Sequence, residues 1–582
     1  MAALPLLPLC AAALGPAAAP TTPSAPPPGV GAWTAGHAGP PDSETDPWLL
    51  KPRFHLGAPN PAGCAGTGFC AGCNDVNAMF KHRGVWHVFF QHILTPEYSG
   101  ARPTAEYRTC WAHAASKDLV RWRTWGCVGT WDRSFGVAFD GALLGLDASG
   151  TPTLLFDGLE HGTALGVNAS FVEVAAVPKN ASDEWLREWR VLDGPPLWRS
   201  ATAGTNPSPG FTLPAASGGN TSLRYTVAAS HVSGHCSLLA SATMRELHMV
   251  SPSFFTPGAV GRHCGGPNLL RLPGSTERWL LKYEGTTGGR GSMFSLGSVL
   301  GSAEGPRFEA TTPAAPFDYG NFQWAETMAP TADDPRGFLL GWVHSAQWLS
   351  GVHPPFGSGD PCNPGWPAAP PAFMTESLLR EILYDARAAA VVTPPLRELR
   401  QLRTPQPLAA LGRTRLAAGS RRQLPLSGAS TDRSVGRQLE IVAFFERSSA
   451  QPGHTFGVGV LESDRLNQTT DAFFASGSGN SVKLTVDASR SGFLSSRCGS
   501  RLPPSRATGS VKLLPDEQLL QLHVFVDRSV VEAFAMGGRG AATVSVRPNA
   551  SATHVSVFSG GEVTLHNLTI WGVGSILLGD EE

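Results

Sequence analysis

Three observations predict an all-β chain of more than one domain. The 582 residues exceed what a single hydrophobic core usually serves. The 66 Gly and 49 Pro favour many turns over long helices. From about residue 50 onward, short runs of aromatic and β-branched residues recur between Gly, Pro and Asp. The helical segments that a parallel α/β sheet would need between them are missing. Repeated antiparallel blades, or a sandwich, are the architectures left.

The chain opens with an apolar, Ala-rich run from Met1 to Pro20. Residues 1–19 read as a secretory signal peptide, although a positive n-region is absent. An Ala/Pro leader or a plastid-type presequence is the alternative. Residues 20–47 are Pro-, Thr- and Ser-rich and read as a linker. Strand-like runs follow at Val85–Gln91, at Thr153–Phe156 (ended by an Asp157-Gly158 turn), at Arg278–Tyr283 and at Gly337–Trp342. This first domain spans 48–400 and exits through Leu378–Leu383 and Thr393–Leu399. After a linker at 401–420, Leu520, Leu522, Val524 and Val526 alternate with Gln521, His523, Phe525 and Asp527. A period of two marks a strand with one buried face, and a second all-β domain is placed at 421–578.

Composition removes several function classes. Lys+Arg total 45 against 46 Asp+Glu, a net charge of −1, and no basic stripe offers a nucleic-acid footprint. No later stretch is long and apolar enough to span a bilayer. No HExxH pair, P-loop or dinucleotide-binding glycine string occurs, so neither a metal nor a cofactor is expected. Sequons at Asn168, Asn180, Asn220, Asn467, Asn549 and Asn567 suit N-glycans on a secreted or lumenal protein (extracellular, cell wall or vacuole). Of ten cysteines, nine remain once Cys10 leaves with the leader, an odd count. Cys64, Cys70 and Cys73 are expected to staple a loop by a disulfide rather than to hold zinc, because one CxxC lacks its second ligand pair.

The motifs narrow the reading. Asn74-Asp75-Val76-Asn77 lies directly ahead of a strand ending in Phe89-Phe90-Gln91. Cys110-Trp111-Ala112-His113-Ala114 leads to Asp118-Leu119-Val120-Arg121-Trp122; Phe317-Asp318-Tyr319-Gly320 and Gly341-Trp342 come later, then Val526–Phe534. In this order they resemble the landmarks of glycoside hydrolase family 32, the invertase group with a plant-type second domain, over residues 50 to 575. The resemblance implies a five-bladed β-propeller followed by a β-sandwich, with the pocket at the propeller axis. It implies Asp75 as the nucleophile on a β-fructofuranosyl bond of sucrose or a fructan. Asn74, Gln91, Trp111, Phe139 and Thr205 are the implied sugar-binding residues.

The other two acids of the family are replaced. The Arg-Asp-Pro motif is matched by Thr205-Asn206-Pro207, putting Asn206 at the stabilising position. The Glu-Cys-Pro motif is matched by His263-Cys264-Gly265-Gly266-Pro267, putting His263 at the acid/base position. Retaining hydrolysis needs a second carboxyl group about 5 Å from the nucleophile to protonate the leaving oxygen. Asp140, in Phe139-Asp140-Gly141-Ala142, adds a carboxylate near the pocket and is a candidate for acid or stabiliser duty. Glu246 and Glu284 are weaker candidates. Two functions follow: a β-fructofuranosyl hydrolase or transferase with little or no activity on sucrose, or an inactive carbohydrate-binding protein of the lectin or sensor kind.

Overall fold

The computed structural model describes residues 51–57, 72–93, 109–126, 138–159, 171–200, 206–229, 234–258, 264–275, 277–285, 291–343, 375–428, 435–477, 479–491, 506–546, 548–549 and 551–577. The leader, the 20–47 stretch, Cys64, Cys70 and Asn168 lie outside them. The first hairpin pairs Gly72–His82 with Val85–Ile93. Its turn residues, Arg83 and Gly84, have φ of 50° and 82°, the left-handed pair that a two-residue hairpin turn requires. Thr109–Ser116 and Arg123–Trp125 complete a four-stranded antiparallel sheet, blade I.

Four more antiparallel sheets follow in chain order, opening with Ala138–Leu146 (blade II), Arg224–Ala229 (III), Gly265–Arg271 (IV) and Gln323–Met328 (V). Each opening strand touches the opening strands of its two neighbours, and that of blade V returns to Gly72–His82. Five blades thus close around one axis: a five-bladed propeller. Covering each twisted sheet with the next buries apolar faces that an isolated sheet would expose. Phe89, Trp111 and Phe156 fill the I–II seam, and Leu280, Phe322 and Leu339 the IV–V seam.

The remainder is a β-sandwich. One sheet runs in the order Ala409–Leu411, Val563–Gly572, Gln438–Glu446, Leu519–Asp527, Val530–Ala535, Gly540–Ser545. The other runs Ser420–Leu424, His554–Ser559, Thr455–Glu462, Thr469–Ser476, Ser481–Arg490, Arg506–Lys512. Alternate residues such as Leu520, Leu522 and Val524 point into a Val/Leu/Phe core between the sheets. The described helices are short 3₁₀ turns, and none is long and apolar enough to cross a membrane.

Three local expectations change. Asp157-Gly158 does not turn: both residues lie inside strand Pro152–Leu159, paired with Glu173 and Val172. Pairing on both sides overrides the local turn preference. The 401–420 stretch carries strands Ala409–Leu411 and Thr414–Leu416, both paired with Val563–Gly572. Their three-residue length leaves no period for a sequence reading to find. Cys73 is a buried thiol outside any disulfide, hydrogen-bonded to Glu376, rather than a staple of the loop, while Cys236 and Cys264 form a disulfide.

Candidate active site

Asn74, Asp75 and Val76 lie within the opening strand of blade I rather than ahead of it. The pairing slips between Cys73 and Val76 and again between Val76 and Ala78. Such bulges leave residues out of the ladder and re-aim their side chains. Here they aim Asp75 into a pocket at the propeller axis, which Asp140, Asn206, Lys282, Trp324 and Glu326 also line. Blades I, II, IV and V and the segment that leads into blade III supply its lining.

Gln91, across the hairpin, is the clamp. Its Nε2 donates to Asp75 Oδ2 at 3.3 Å and also, through a short contact, to Asp140 Oδ1. Its Oε1 accepts from Asn74 Nδ2 at 3.4 Å. One amide nitrogen thus holds the Asp75 and Asp140 carboxyls side by side. Two buried carboxyls in contact cannot both carry charge, so the pair holds a proton. Burial first, then the charge of Asp140 and the shared hydrogen bond, push Asp75 well above the usual carboxylate range. Burial likewise pushes Asp140 up, against the pull of Asp75, Lys282 and Gln91.

The altered second motif is held from below. Asn206 has φ of 65°, a conformation that Asn tolerates better than most residues. Its backbone N–H donates to Asp157 Oδ2. Asp157 faces Glu173 across the next strand pair, and burial plus mutual repulsion raises Asp157 well above its ordinary range. A second proton-sharing carboxyl pair therefore lies behind the first.

The altered third motif brings no carboxyl to the pocket from Cys264–Pro267. A Cβ on Gly266 would sit 3.2 Å from Lys282 Nζ, and one on Gly265 would sit 3.2 Å from the Trp324 ring. The two glycines make room for an ammonium and an indole. Lys282 Nζ pairs with Glu284 Oε1 at 2.7 Å and donates to the Gly266 carbonyl at 2.8 Å. Trp324 has φ of 44° at a slip in the pairing between Gln323 and Glu326. Strained backbone of this kind concentrates at functional sites. The Cys236–Cys264 bridge ties the start of this motif to blade III.

The structure thus brings together Asp75, Asn74, Gln91, Asp140 and Asn206. Trp111 stands behind the pocket, fully buried, with its Nε1 donating to the Phe139 carbonyl at 2.8 Å. Phe139 is half-buried, next to Asp140 on the opening strand of blade II. His263 and Thr205 lie outside the described residues. Of the weaker candidates, Glu246 is an exposed partner of His248, whereas Glu284 is buried at the site. Sequence reasoning missed Glu326, Lys282 and Trp324; only Lys282 carried a signal, a charge within the apolar run Trp279–Tyr283. Among the described residues no cluster suited to a metal ion occurs.

Two family models match the chain: the N-terminal domain of glycosyl hydrolases family 32 over residues 71–355 and the C-terminal domain over 399–572. The chain is 24% identical over 559 residues to an insoluble beta-fructofuranosidase isoenzyme of Arabidopsis thaliana, spanning 86% of this chain and 88% of that one. It is 24% identical over 582 residues to a cell wall isozyme of beta-fructofuranosidase from Zea mays, spanning 86% and 87%. Among solved structures, fructan 1-exohydrolase IIa from Cichorium intybus superposes with a TM-score of 0.70 at 19% identity, over 90% of this chain and 98% of that one. Exo-inulinase from Aspergillus awamori gives 0.64 at 17% identity, over 90% and 98%. With both domain models matched in order along a propeller and a sandwich, the chain belongs to glycoside hydrolase family 32.

Proposed function

We propose that the protein acts on β-fructofuranosyl bonds of sucrose or short fructans by a retaining double displacement, with Asp75 as the nucleophile. The observation that carries this reading is the placement of Asp75 at the propeller axis, clamped by Gln91 and Asn74. Asp140, joined to Asp75 through the Gln91 amide, suits stabiliser duty beside the nucleophile better than acid duty across a bond. A retaining pair flanks the scissile bond about 5 Å apart, whereas one Gln91 amide holds Asp140 and Asp75 together. Asn206 offers hydrogen bonds to sugar hydroxyls but no charge to offset an oxocarbenium ion, so turnover of sucrose is expected to be slow. A relative named for the cell wall supports a secreted location. Exposed sequon residues Asn180, Asn220, Asn467 and Asn549 support glycosylation.

One observation favours a second reading. The amide of Asn206 and the proton shared by Asp75 and Asp140 suit the binding of a sugar as well as its cleavage, so an inactive carbohydrate-binding protein is the alternative. Incubation with sucrose and 1-kestose across acidic to neutral pH, following fructose, separates the two. Release by the wild type that vanishes in Asp75→Ala supports the hydrolase. Equal silence of both, with heat of binding to the same sugars in calorimetry, supports the binding protein.

A further inference from the structure

We propose that Glu326, on the opening strand of blade V, is the general acid that protonates the leaving oxygen. The assignment rests on the fructofuranosyl reading above. Glu326 lines the same pocket as Asp75, and the strand bearing Asp75 lies between those of Asp140 and Glu326 around the ring. Asp140 contacts the nucleophile from one flank, and Glu326 stands on the other. Its two oxygens differ. Oε2 accepts from Asn268 Nδ2 at 2.9 Å, while Oε1 is buried and has no hydrogen-bond partner. Asn268 is itself fixed, its Oδ1 accepting from the Thr327 backbone N–H at 2.9 Å. A carboxyl held by one oxygen, with the other free inside a substrate pocket, is oriented to donate a proton to an incoming atom.

The surroundings favour the protonated form. Burial raises Glu326 well above the ordinary range; Lys282 and Asn268 pull it down only in part, and Asp140 adds to the rise. In the first step Asp75 attacks the anomeric carbon as the carboxylate, the proton of the pair resting on Asp140. The C–O bond to the leaving group breaks, its electron pair stays on the departing oxygen, and that oxygen takes the Glu326 proton. In the second step water attacks the same carbon and returns a proton to the Glu326 carboxylate. The bond to Asp75 breaks and both carboxyl groups are restored.

The test compares wild type, Glu326→Gln, Asp140→Asn and Asp75→Ala on sucrose and on a 4-nitrophenyl β-fructofuranoside, whose leaving group needs no proton. Glu326→Gln is expected to lose about 10²–10⁴-fold on sucrose and under about tenfold on the aryl substrate, and to lose the alkaline limb of the pH profile. In the wild-type minus Glu326→Gln infrared difference spectrum at neutral pH, one protonated-carboxyl carbonyl band should remain, because the bands of the Asp75–Asp140 and Asp157–Glu173 pairs cancel. If Glu326→Gln matches wild type on sucrose while Asp75→Ala is dead, the assignment is overturned and the fructofuranosyl reading stands. If wild type is silent on both substrates, or Asp75→Ala equals it, both fall. If Glu326→Gln does not fold, Glu326→Asp replaces it: a slowed sucrose rate with the alkaline limb intact supports the assignment, and an unchanged rate overturns it.

Discussion

Carboxyl groups dominate the chemistry of the axis, and at the scale of single residues their burial decides what each can do. Asp75, Asp140, Asp157, Glu173 and Glu326 are all buried, and all are shifted upward, with burial as the largest cause. Water cannot stabilise their charge, so contact with one another makes protons shared rather than lost. The Asp157–Glu173 pair is the clearest case, because the two residues are direct cross-strand partners. Glu173 keeps its proton up to about 7, whereas in the unfolded chain it ionises near 4.5. Its contribution to stability is therefore complete in acid and is lost as pH rises from about 4.5 through about 7. Glu173→Gln, which does not titrate, is expected to be more stable than wild type by about 1–3 kcal/mol at pH 8. At pH 4 it should show no gain; urea midpoints at the two values check this.

At the scale of elements, the opening strand of blade II carries the pocket's second acid, and its position depends on Gly141. A Cβ there would lie 2.2 Å from the Leu155 carbonyl oxygen and 2.5 Å from the Trp111 ring. Neither can yield, because Leu155 is in the paired strand and Trp111 is fully buried. Gly141→Ala is expected to cost about 1–3 kcal/mol through overpacking. It should also weaken any Asp75-dependent activity by displacing Asp140. Thermal melts and fructose release measure the two effects. The strand itself was not read from sequence, whereas Val85–Gln91 and Leu520–Asp527 were. Those two have dense aromatic or strictly alternating patterns; Phe139–Ala142 is too mixed to carry a period. The Asp157-Gly158 reading failed for the complementary reason, a strong local signal inside a strand paired on both edges.

For the whole molecule, the two domains meet over a buried polar network. Arg380 Nη2 donates to Asp318 Oδ2 at 2.8 Å and Glu532 Oε2 at 2.6 Å. His55 bridges Asp527 and Glu532 at 2.8 and 3.1 Å. Tyr319 packs against Gly509 of the sandwich, and its hydroxyl donates to the Ser510 carbonyl at 2.8 Å. The Asp-Tyr-Gly and Val526–Phe534 landmarks are thus the two halves of an interface rather than parts of the pocket. Burial works against a charged His55, but the hydrogen bonds and charges of Asp527 and Glu532 outweigh it and raise the imidazole to about 9. A raised basic group contributes fully below its unfolded value of 6.5, and the contribution is lost as pH climbs through about 9. The unfolding free energy from denaturant titrations is expected to fall between pH 7 and pH 10 by up to about 3 kcal/mol. His55→Asn should lower the pH 7 midpoint and flatten that slope.

The sequence by itself determined the all-β class, the order of propeller and sandwich, and the pairing of Asp75 with its hairpin neighbours. Those features live in contiguous signals: alternation, turn chemistry and the Asn74-Asp75 and Phe90-Gln91 pairs that one hairpin joins. Only the tertiary structure decided which acids share the pocket. Asp75, Asp140, Lys282 and Glu326 come from four different blades. Closing the ring sets them side by side, and nothing local in sequence encodes that neighbourhood. Burial in turn sets which carboxyls keep their protons, because desolvation depends on what packs around a side chain, not on its place along the chain.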